Sequence, residues 1–166
     1  MVLERAEIGH SWTSQRWDSF RVNTANKLNT LPHDETSDPD GFGSAQSLAA
    51  SMNAYVSRHT LPVTTGATVT RIEKIAGSGE FMVTFELNHK THSSICRQIV
   101  VASGAQNIKR ESPLHAKIHS HIYQLHSSEY RNASALPYGA VLVVGSGQSG
   151  CQIAEDLTTS SSNSPK

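Results

Sequence analysis

Residues 141–157 read VLVVGSGQSGCQIAEDL, in which an apolar run precedes three spaced glycines and an amphipathic segment. This order is typical of a buried strand, a tight turn and a helix start that together bind the pyrophosphate of a dinucleotide. Gly145 would make the turn, Gly147 would let backbone N–H groups approach a phosphate, and Gly150 would let the helix pack closely on the strand. The predicted binding positions are Gly145, Gly147, Gln148, Ser149 and Gly150.

The glycine spacing alone is a weak signal, because three glycines at fixed positions also arise by chance. The context strengthens it, since VLVV precedes the turn and Ile153, Ala154 and Leu157 would share one helix face. A glycine turn without a ligand is the alternative. The acidic residue that would distinguish NAD from NADP is expected about 20 positions after the turn, which is beyond Lys166.

Composition limits the other classes of function. The chain has 166 residues, 37% of them hydrophobic, and its 14 basic and 14 acidic residues balance. No run of five like charges occurs, so neither nucleic acid nor an anionic membrane is an expected partner. The apolar runs are far shorter than the roughly 20 residues of a membrane helix, and MVLERAE lacks a signal-peptide core. We therefore expect a soluble, cytoplasmic protein of unspecified oligomeric state.

Cysteines and histidines give two further exclusions. Cys96 and Cys151 form no C-x-x-C pair, which disfavours a redox-active dithiol. Four histidines lie within a polar connection, and His115 and His119 would share a helix face, but no Cys, Asp or Glu completes a credible metal site. Solvated histidines and no metal are the prediction. The histidines are His115, His119, His121 and His126.

The remaining segments indicate a mixed α/β chain. A short buried strand is predicted to end at residues 2–4, and a helix capped by Ser44 is predicted to run up to Leu61-Pro62. Between these two elements lies a long ordered loop. Three strands should follow the helix as an antiparallel meander, and the last of them, with its IVVA core, is expected to be buried in a parallel sheet. The segments are loop 9–43, strands 67–75, 81–87 and 94–104, connection 105–139 and disordered tail 158–166.

Five stretches, in order and spacing, resemble the flavin-dependent monooxygenases, the group that includes flavin-containing and Baeyer–Villiger monooxygenases. The resemblance implies an α/β fold, a partial FAD/NAD(P)-binding fold of two dinucleotide domains with parallel strands plus a small antiparallel β-meander. It also implies an internal fragment, with an incomplete FAD-binding domain at 1–110 and a linker and the start of an NAD(P)-binding domain at 111–157. The stretches are VLERAEIGHSW (2–12), RWDSFRVNTANKLNTLP (16–32), IVVASGAQN (99–107), LHSSEYRN (125–132) and VLVVGSGQSG (141–150).

The same resemblance implies roles for residues outside the glycine turn. Glu4 would accept hydrogen bonds from the adenosine ribose of FAD; an ordinary charge at a strand end is the alternative. Trp12 and the 16–26 loop would lie over the flavin; a loop packed by its own tryptophans is the alternative. Val69 would flank the adenine through its backbone, and residues 102–104 would be the counterpart of an A-T-G stretch between the domains. The implied cofactor-binding residues are Glu4, Trp12, Arg16, Asn23, Thr24, Asn26, Val69, Ser103 and Gly104.

Two departures from the family pattern accompany the resemblance. His126 matches the histidine of an F-x-G-x-x-x-H fingerprint, but Ser120 and Ile122 stand where phenylalanine and glycine are expected. The first glycine-rich turn is expected some 20 to 25 residues before Glu4, and only three residues precede it. We therefore expect the 166-residue chain alone to be inactive.

The resemblance implies FAD and NADP(H) as cofactors: NADPH reduces FAD, and the reduced flavin uses dioxygen to oxygenate a small organic substrate. The chemistry belongs to the cofactor, and no residue is singled out as a catalytic acid, base or nucleophile. Two other readings stay open. One is a non-catalytic remnant or interaction module, and the other is a disulfide-reductase-like flavoprotein, which the missing C-x-x-C disfavours.

Overall fold

The computed structural model describes residues 1–104 and 108–159, and its chain divides into two compact units. The first unit comprises Met1–His10 and Ala49–Asn107, and the second comprises Ser11–Leu48 and Ile108–Lys166. The prediction of a disordered tail at 158–166 is wrong at its first two residues, because Thr158 and Thr159 are helical. Residues 160–166 of that tail and residues 105–107, which end the IVVASGAQN stretch, lie outside the described residues. The domain boundary near residue 110 stays a prediction.

Along the described chain, a short strand is followed by three helices, then by four strands and, near the end, by one further helix. Two short 3₁₀ turns, His115–Lys117 and Ala133–Ala135, are the regular structure of the polar connection. The other elements are β1 Val2–Leu3, α1 His10–Ser14, α2 Asn26–Asn29, α3 Ala45–Arg58, β2 Val63–Thr64, β3 Thr68–Lys74, β4 Phe81–Leu87, β5 Lys90–Cys96 and α4 Gln148–Thr159.

In the first unit, β1 and β2 form a short parallel pair in which Val2 lies opposite Val63. The pair is extended by a hydrogen bond from the Glu4 N–H to the Thr64 carbonyl at 2.9 Å. The strand predicted to end at residues 2–4 is thereby confirmed, and Glu4 follows it directly.

The helix predicted after Ser44 is also confirmed, as α3. The Ser44 hydroxyl accepts a hydrogen bond from the Ser47 N–H at 3.0 Å, which satisfies one of the amide groups that a helix start leaves unpaired. The helix ends where Thr60 takes a positive φ of 49° and the Leu61 N–H donates to the Val56 carbonyl. This is a left-handed C-terminal cap, which satisfies a carbonyl of the last turn.

The antiparallel meander of β3, β4 and β5 is confirmed, but its last strand lies earlier than predicted. Asn88 and His89 both have positive φ, at 51° and 58°, and form the two-residue turn from β4 into β5. The strand expected at 94–104 is therefore β5, and it ends at Cys96.

The prediction that the IVVA core would be buried in a parallel sheet is wrong. Val100 is 88% exposed and Val101 is 74% exposed, and neither lies in a strand. An apolar run becomes a strand only where neighbouring backbone supplies hydrogen-bond partners. The described residues place no strand beside this run.

The second unit has a core of aromatic and aliphatic side chains contributed by residues 11–48, by the polar connection and by α4. The helix predicted after the glycine turn is confirmed as α4, with Ile153 buried and Leu157 packed against the core. The long 9–43 loop is irregular apart from α1 and α2. The core residues are Trp17, Phe20, Val22, Ala45, Tyr130 and Ile153.

The predicted strand at 141–144 is absent, because no strand of the described residues lies alongside it to pair with it. Leu142 is 85% exposed, Val144 is 76% exposed, and only Val143 packs against the core. The glycine turn therefore follows a segment without regular secondary structure, which packs against the core through the Val143 side chain. Among the described helices, none combines the length and apolar character required to cross a bilayer.

Candidate functional site

The glycine turn has the geometry that its three glycines predict. Gly145 has φ of +117°, a conformation that side-chain-bearing residues rarely adopt. A Cβ added to Gly150 would overlap the Gly145 carbonyl oxygen and lie 3.1 Å from its carbon, so the turn can approach α4 only if residue 150 is glycine. At Gly147, an added Cβ would meet no atom within 4 Å. The outer face of the turn is thus open at the residue where a phosphate is expected to approach.

The first turn of α4 presents backbone donors at this open face. The first hydrogen bond of the helix runs from the Cys151 N–H to the Gly147 carbonyl at 3.1 Å, so the N–H groups of residues 148–150 precede the intrahelical ladder. Gln148 and Ser149 are exposed, and no acidic residue occupies the first turn. Unpaired N–H groups and the positive end of the helix dipole fit an anion such as a pyrophosphate.

The 16–26 loop surrounds a half-buried cation. The Arg16 guanidinium carbon lies 5.1 Å from the Trp12 ring centre and 5.4 Å from that of Phe20, and burial lowers the pKa of the guanidinium. Arg16 pairs with no carboxylate among the described residues. Its aromatic neighbours offer an attraction to the cation that does not neutralise the charge, so the site fits an electron-rich or anionic partner.

The Arg131 side chain positions this loop. Its guanidinium donates to the Arg16 carbonyl at 2.9 Å and to the Ser14 carbonyl. Next to it, the Asp18 N–H donates to the Arg131 carbonyl at 2.9 Å, and the Asn132 amide donates to the Asp18 carboxylate at 2.6 Å. The loop backbone is therefore held from behind by residues more than 110 positions away, which sequence patterns did not reveal.

The predicted polar residues of the loop have different roles. The Thr24 hydroxyl donates to the Asn29 side chain at 2.7 Å, and the Asn26 amide donates to the Asp38 carbonyl at 2.9 Å, so both shape the loop itself. Asn23 is exposed, and its amide has no hydrogen-bond partner among the described residues. Of the three, Asn23 is the one with an amide available to a ligand.

Trp17, which the sequence interpretation treated only as part of the loop, is a core residue. It is 2% exposed and meets Phe20 edge-on, with ring centres 5.0 Å apart. Its indole N–H has no acceptor among the described residues. The loop is therefore packed by its own aromatics at Trp17, while Trp12 is half-buried and borders Arg16.

The first unit contains Glu4, Val69, Ser103 and Gly104. One carboxylate oxygen of Glu4 accepts from the Ala6 N–H at 2.9 Å, and the other has no hydrogen-bond partner within the described part of the chain. Val69 lies in β3, just before the irregular register at residue 70. Ser103 and Gly104 are exposed. A carboxylate with one oxygen that accepts no hydrogen bond, at a strand end, fits the ribose role that the family resemblance implies for Glu4.

Gly9 is a residue whose importance the sequence analysis missed. It has φ of +77°, and an added Cβ would lie 2.8 Å from the Ala49 Cβ of α3. Backbone conformation and close approach to α3 both require glycine here. The signal in the sequence was its place in GHSW, directly before the short α1.

The histidine-rich connection forms local contacts. His119 and His121 approach through their Nδ1 atoms at 2.6 Å, and the His126 N–H donates to Glu129 at 3.0 Å. A hydrogen bond from Lys109, followed by that of His126, lowers the pKa of Glu129. Within 1–104 and 108–159, no group of three or more His, Cys, Asp or Glu side chains is arranged to hold a metal ion. Cys96 and Cys151 are both free thiols.

The chain is similar to known oxidoreductases over most of its length. A family model described as L-lysine 6-monooxygenase/L-ornithine 5-monooxygenase matches residues 53–165. Uncharacterized oxidoreductases named CzcO from Bacillus subtilis and Bacillus velezensis are 32% and 31% identical over 161 and 160 residues. In each comparison the match covers 95% of this chain and 44% of the relative, so the chain spans less than half the length of these relatives.

Solved structures give the fold. A mutant flavin monooxygenase from Stenotrophomonas maltophilia superimposes with a TM-score of 0.78 at 21% identity, over 95% of this chain and 47% of that one. OTEMO in complex with FAD and NADP gives a TM-score of 0.64 at 19% identity, over 95% of this chain and 32% of that one. The predicted α/β fold of FAD/NAD(P)-binding flavoproteins, with parallel strands and an antiparallel meander, is confirmed.

Proposed function

The chain belongs to the L-lysine 6-monooxygenase/L-ornithine 5-monooxygenase family of flavin-dependent oxidoreductases, and from that premise we propose that it supplies cofactor-binding elements of an FAD- and NAD(P)H-dependent monooxygenase. Its substrate is proposed to be a small organic molecule. The observation that carries the proposal is the glycine turn, in which Gly150 must lack a side chain and Gly147 leaves the helix start open.

The proposed NADP(H) site is this turn. Gln148, Ser149 and Gly150 offer the backbone N–H groups, and the dipole of the 12-residue helix α4 favours a negative charge at the same place. These groups have no intrahelical acceptor, so a bound phosphate would satisfy them. The residues present therefore fit a pyrophosphate.

The proposed FAD contacts lie in the two units separately. In the second unit, Trp12, Arg16 and Asn23 offer a flat aromatic face, an uncompensated cation and an available amide. In the first unit, Glu4 offers one carboxylate oxygen for the ribose hydroxyls. FAD, when bound, would supply the redox chemistry, which is hydride transfer from the nicotinamide and activation of dioxygen. The residues of this chain are proposed to bind the cofactors and to orient them.

The test measures the binding of FAD and of NADPH to the purified natural protein that contains these 166 residues, by fluorescence titration. We call this protein the full natural chain. Gly147→Val places a side chain in the open space where the phosphate is proposed to lie, so the fold should survive. We expect the dissociation constant for NADPH to rise at least about tenfold, a loss of roughly 1.4 kcal/mol, while FAD binding is unchanged. Ala50→Val, at an exposed position of α3, is the matched control and should alter neither.

Two results would contradict the proposal. Loss of FAD with normal NADPH binding would show that the glycine turn serves the other cofactor. If the full natural chain without any substitution binds neither cofactor, the non-catalytic interaction module is the better assignment.

A further inference from the structure

The Gln152 side chain joins α4 to the 16–26 loop through two hydrogen bonds. The Arg21 N–H donates to Gln152 Oε1 at 3.1 Å, and Gln152 Nε2 donates to the Arg21 carbonyl at 2.9 Å. The primary amide thus pairs with both backbone groups of one residue, as a neighbouring strand would. The two residues are 131 positions apart in the sequence.

On its other side, the same loop backbone is fixed to the start of α3. Arg21 forms an isolated antiparallel bridge with Ser44, and the Val22 N–H donates to the Gly43 carbonyl at 2.9 Å. Arg21 therefore lies between a true backbone partner and the Gln152 amide. Among residues 1–104 and 108–159, Gln152 alone joins α4 to the Arg21 backbone by hydrogen bonds.

Two further contacts hold α4 in place beside the 16–26 loop. Ile153 is buried in the same core as Phe20 and Val22, and the Tyr130 hydroxyl donates to the Asp156 carboxylate at 2.5 Å. Gln152 lies one helical turn after Gln148, so both face the same groove of about 530 Å³, which Asn23 and Phe42 also line. One edge of the groove belongs to the proposed NADP(H) turn and the other to the proposed flavin loop.

We propose that Gln152 is a positioning residue for the transfer of hydride between the two cofactors, an inference that rests on the proposed function. Its amide holds the flavin loop at a fixed place on the helix that starts at the glycine turn. The chemistry of the side chain suits this role, because the position needs one acceptor and one donor at glutamine length. Glutamate would place a carboxylate oxygen against the Arg21 carbonyl and so lose the donated hydrogen bond. Methionine would remove both hydrogen bonds.

Gln152 touches the Arg21 backbone and lies one turn beyond the glycine turn, so it is not itself proposed to bind a cofactor. Its loss should therefore leave each cofactor's affinity nearly intact and slow the step that requires both to be aligned. Misplacement of reacting groups by about 1 Å can cost about a hundredfold in rate, so a tenfold effect is a modest expectation.

The experiment compares Gln152→Glu and Gln152→Met with the unmodified full natural chain. Gln46→Glu, which makes the same chemical change at an exposed position of α3, is the control. The first readout is hydrogen exchange of the Arg21 amide without cofactors, which should become at least about tenfold faster in Gln152→Met and stay unchanged in the control. Gln152→Glu keeps an acceptor for this amide, so its exchange should become faster by a smaller factor. The second is stopped-flow reduction of bound FAD by NADPH. Its rate constant at saturation should fall about tenfold or more, with both dissociation constants within about twofold of the parent's.

Each other result overturns the inference in a distinct way. Unchanged exchange of the Arg21 amide would mean that Gln152 does not hold the loop. Faster exchange with a normal reduction rate would leave Gln152 a structural role only. A tenfold loss of cofactor affinity with normal reduction at saturation would make it a binding residue. If the parent binds no FAD or is not reduced by NADPH, the proposed function fails together with the positioning role, whereas the exchange result still reports whether the contact exists.

Discussion

At the scale of single residues, the glycine turn contains two kinds of glycine. Two are required by backbone conformation or packing, and the third has open space beside it. Gly145 and Gly150 are fixed by backbone conformation and close approach, whereas Gly147 faces open space. The two kinds of glycine have opposite experimental signatures, because one affects stability and the other affects binding.

Gly150→Ala should destabilise the protein. The added methyl group would overlap the Gly145 carbonyl, so the turn must move away from α4, at a cost of about 1–3 kcal/mol. Urea unfolding measures the change. Gly147→Ala is the control and should shift stability by no more than about 0.5 kcal/mol. Equal losses in the two variants would mean that the turn does not contact α4 as described.

Tyr130 makes a pH-dependent contribution to stability. Burial, followed by the hydrogen bond to Asp156, raises the pKa of the phenol above its ordinary value near 10. The native state therefore keeps the proton at pH values where the unfolded chain loses it. This stabilisation is complete below about pH 10 and is lost as the pH rises toward the native pKa.

Tyr130→Phe should consequently be less stable than the parent at pH 8, by about 1.5–3 kcal/mol for a hydrogen bond to a charged group. The difference should shrink as the pH is raised above about 10. Urea midpoints of both proteins at pH 8, 9.5 and 11 test this. A difference that stays constant with pH would remove Tyr130 as the titrating group.

At the scale of elements, the sequence predicted helices better than strands. α3 and α4 are satisfied by hydrogen bonds within their own segments, so apolar period, the Ser44 cap and the glycine turn located them. The runs at 99–104 and 141–144 have the composition of buried strands and form none, because a strand depends on partners that its own residues do not encode. The meander is the favourable case, since its strands are joined by short turns.

The turn between β4 and β5 contains a position at which a substitution should raise the stability of the protein. His89 holds φ of 58° without being glycine, a conformation that costs a side-chain-bearing residue about 1 kcal/mol. His89→Gly gives the Asn-Gly pair that two-residue hairpins favour, so the melting temperature should rise by about 2–4 °C. Thr91→Gly, at an exposed position within β5, should lower it, because glycine weakens a strand interior. A lower melting temperature for His89→Gly would contradict the turn geometry.

At the scale of the whole molecule, the candidate site was predictable in its motif residues and not in their supports. The glycine turn has a local pattern of its own, whereas Arg16 and Glu4 were assigned through stretches that resemble the flavin-dependent monooxygenases, and these assignments stay predictions. Arg131 and Gln152 act on backbone more than 110 residues away, and no local pattern announces such contacts. The net charge did not point to a partner either, because the formal charges of 14 basic and 14 acidic residues cancel and leave no net field to steer a charged ligand.

Cofactor binding should also be visible in the stability of the whole chain. A ligand that binds only the native state stabilises it by about 2.7 kcal/mol at 100 times its dissociation constant. FAD and NADP⁺ should each raise the melting temperature of the full natural chain. Gly147→Val should keep the shift with FAD and lose the shift with NADP⁺. If Gly147→Val keeps both shifts in melting temperature, Gly147 does not lie at the NADP(H) site.

The exposed thiol of Cys151 lies in the first turn of α4, next to Gly150, while Cys96 is half-buried on β5. The molecule therefore carries a natural attachment point beside the proposed phosphate position, and the difference in accessibility favours selective alkylation there. A fluorophore coupled to Cys151 would be displaced or shielded by an occupant of the turn. Occupancy could then be followed in real time by emission, without waiting for turnover.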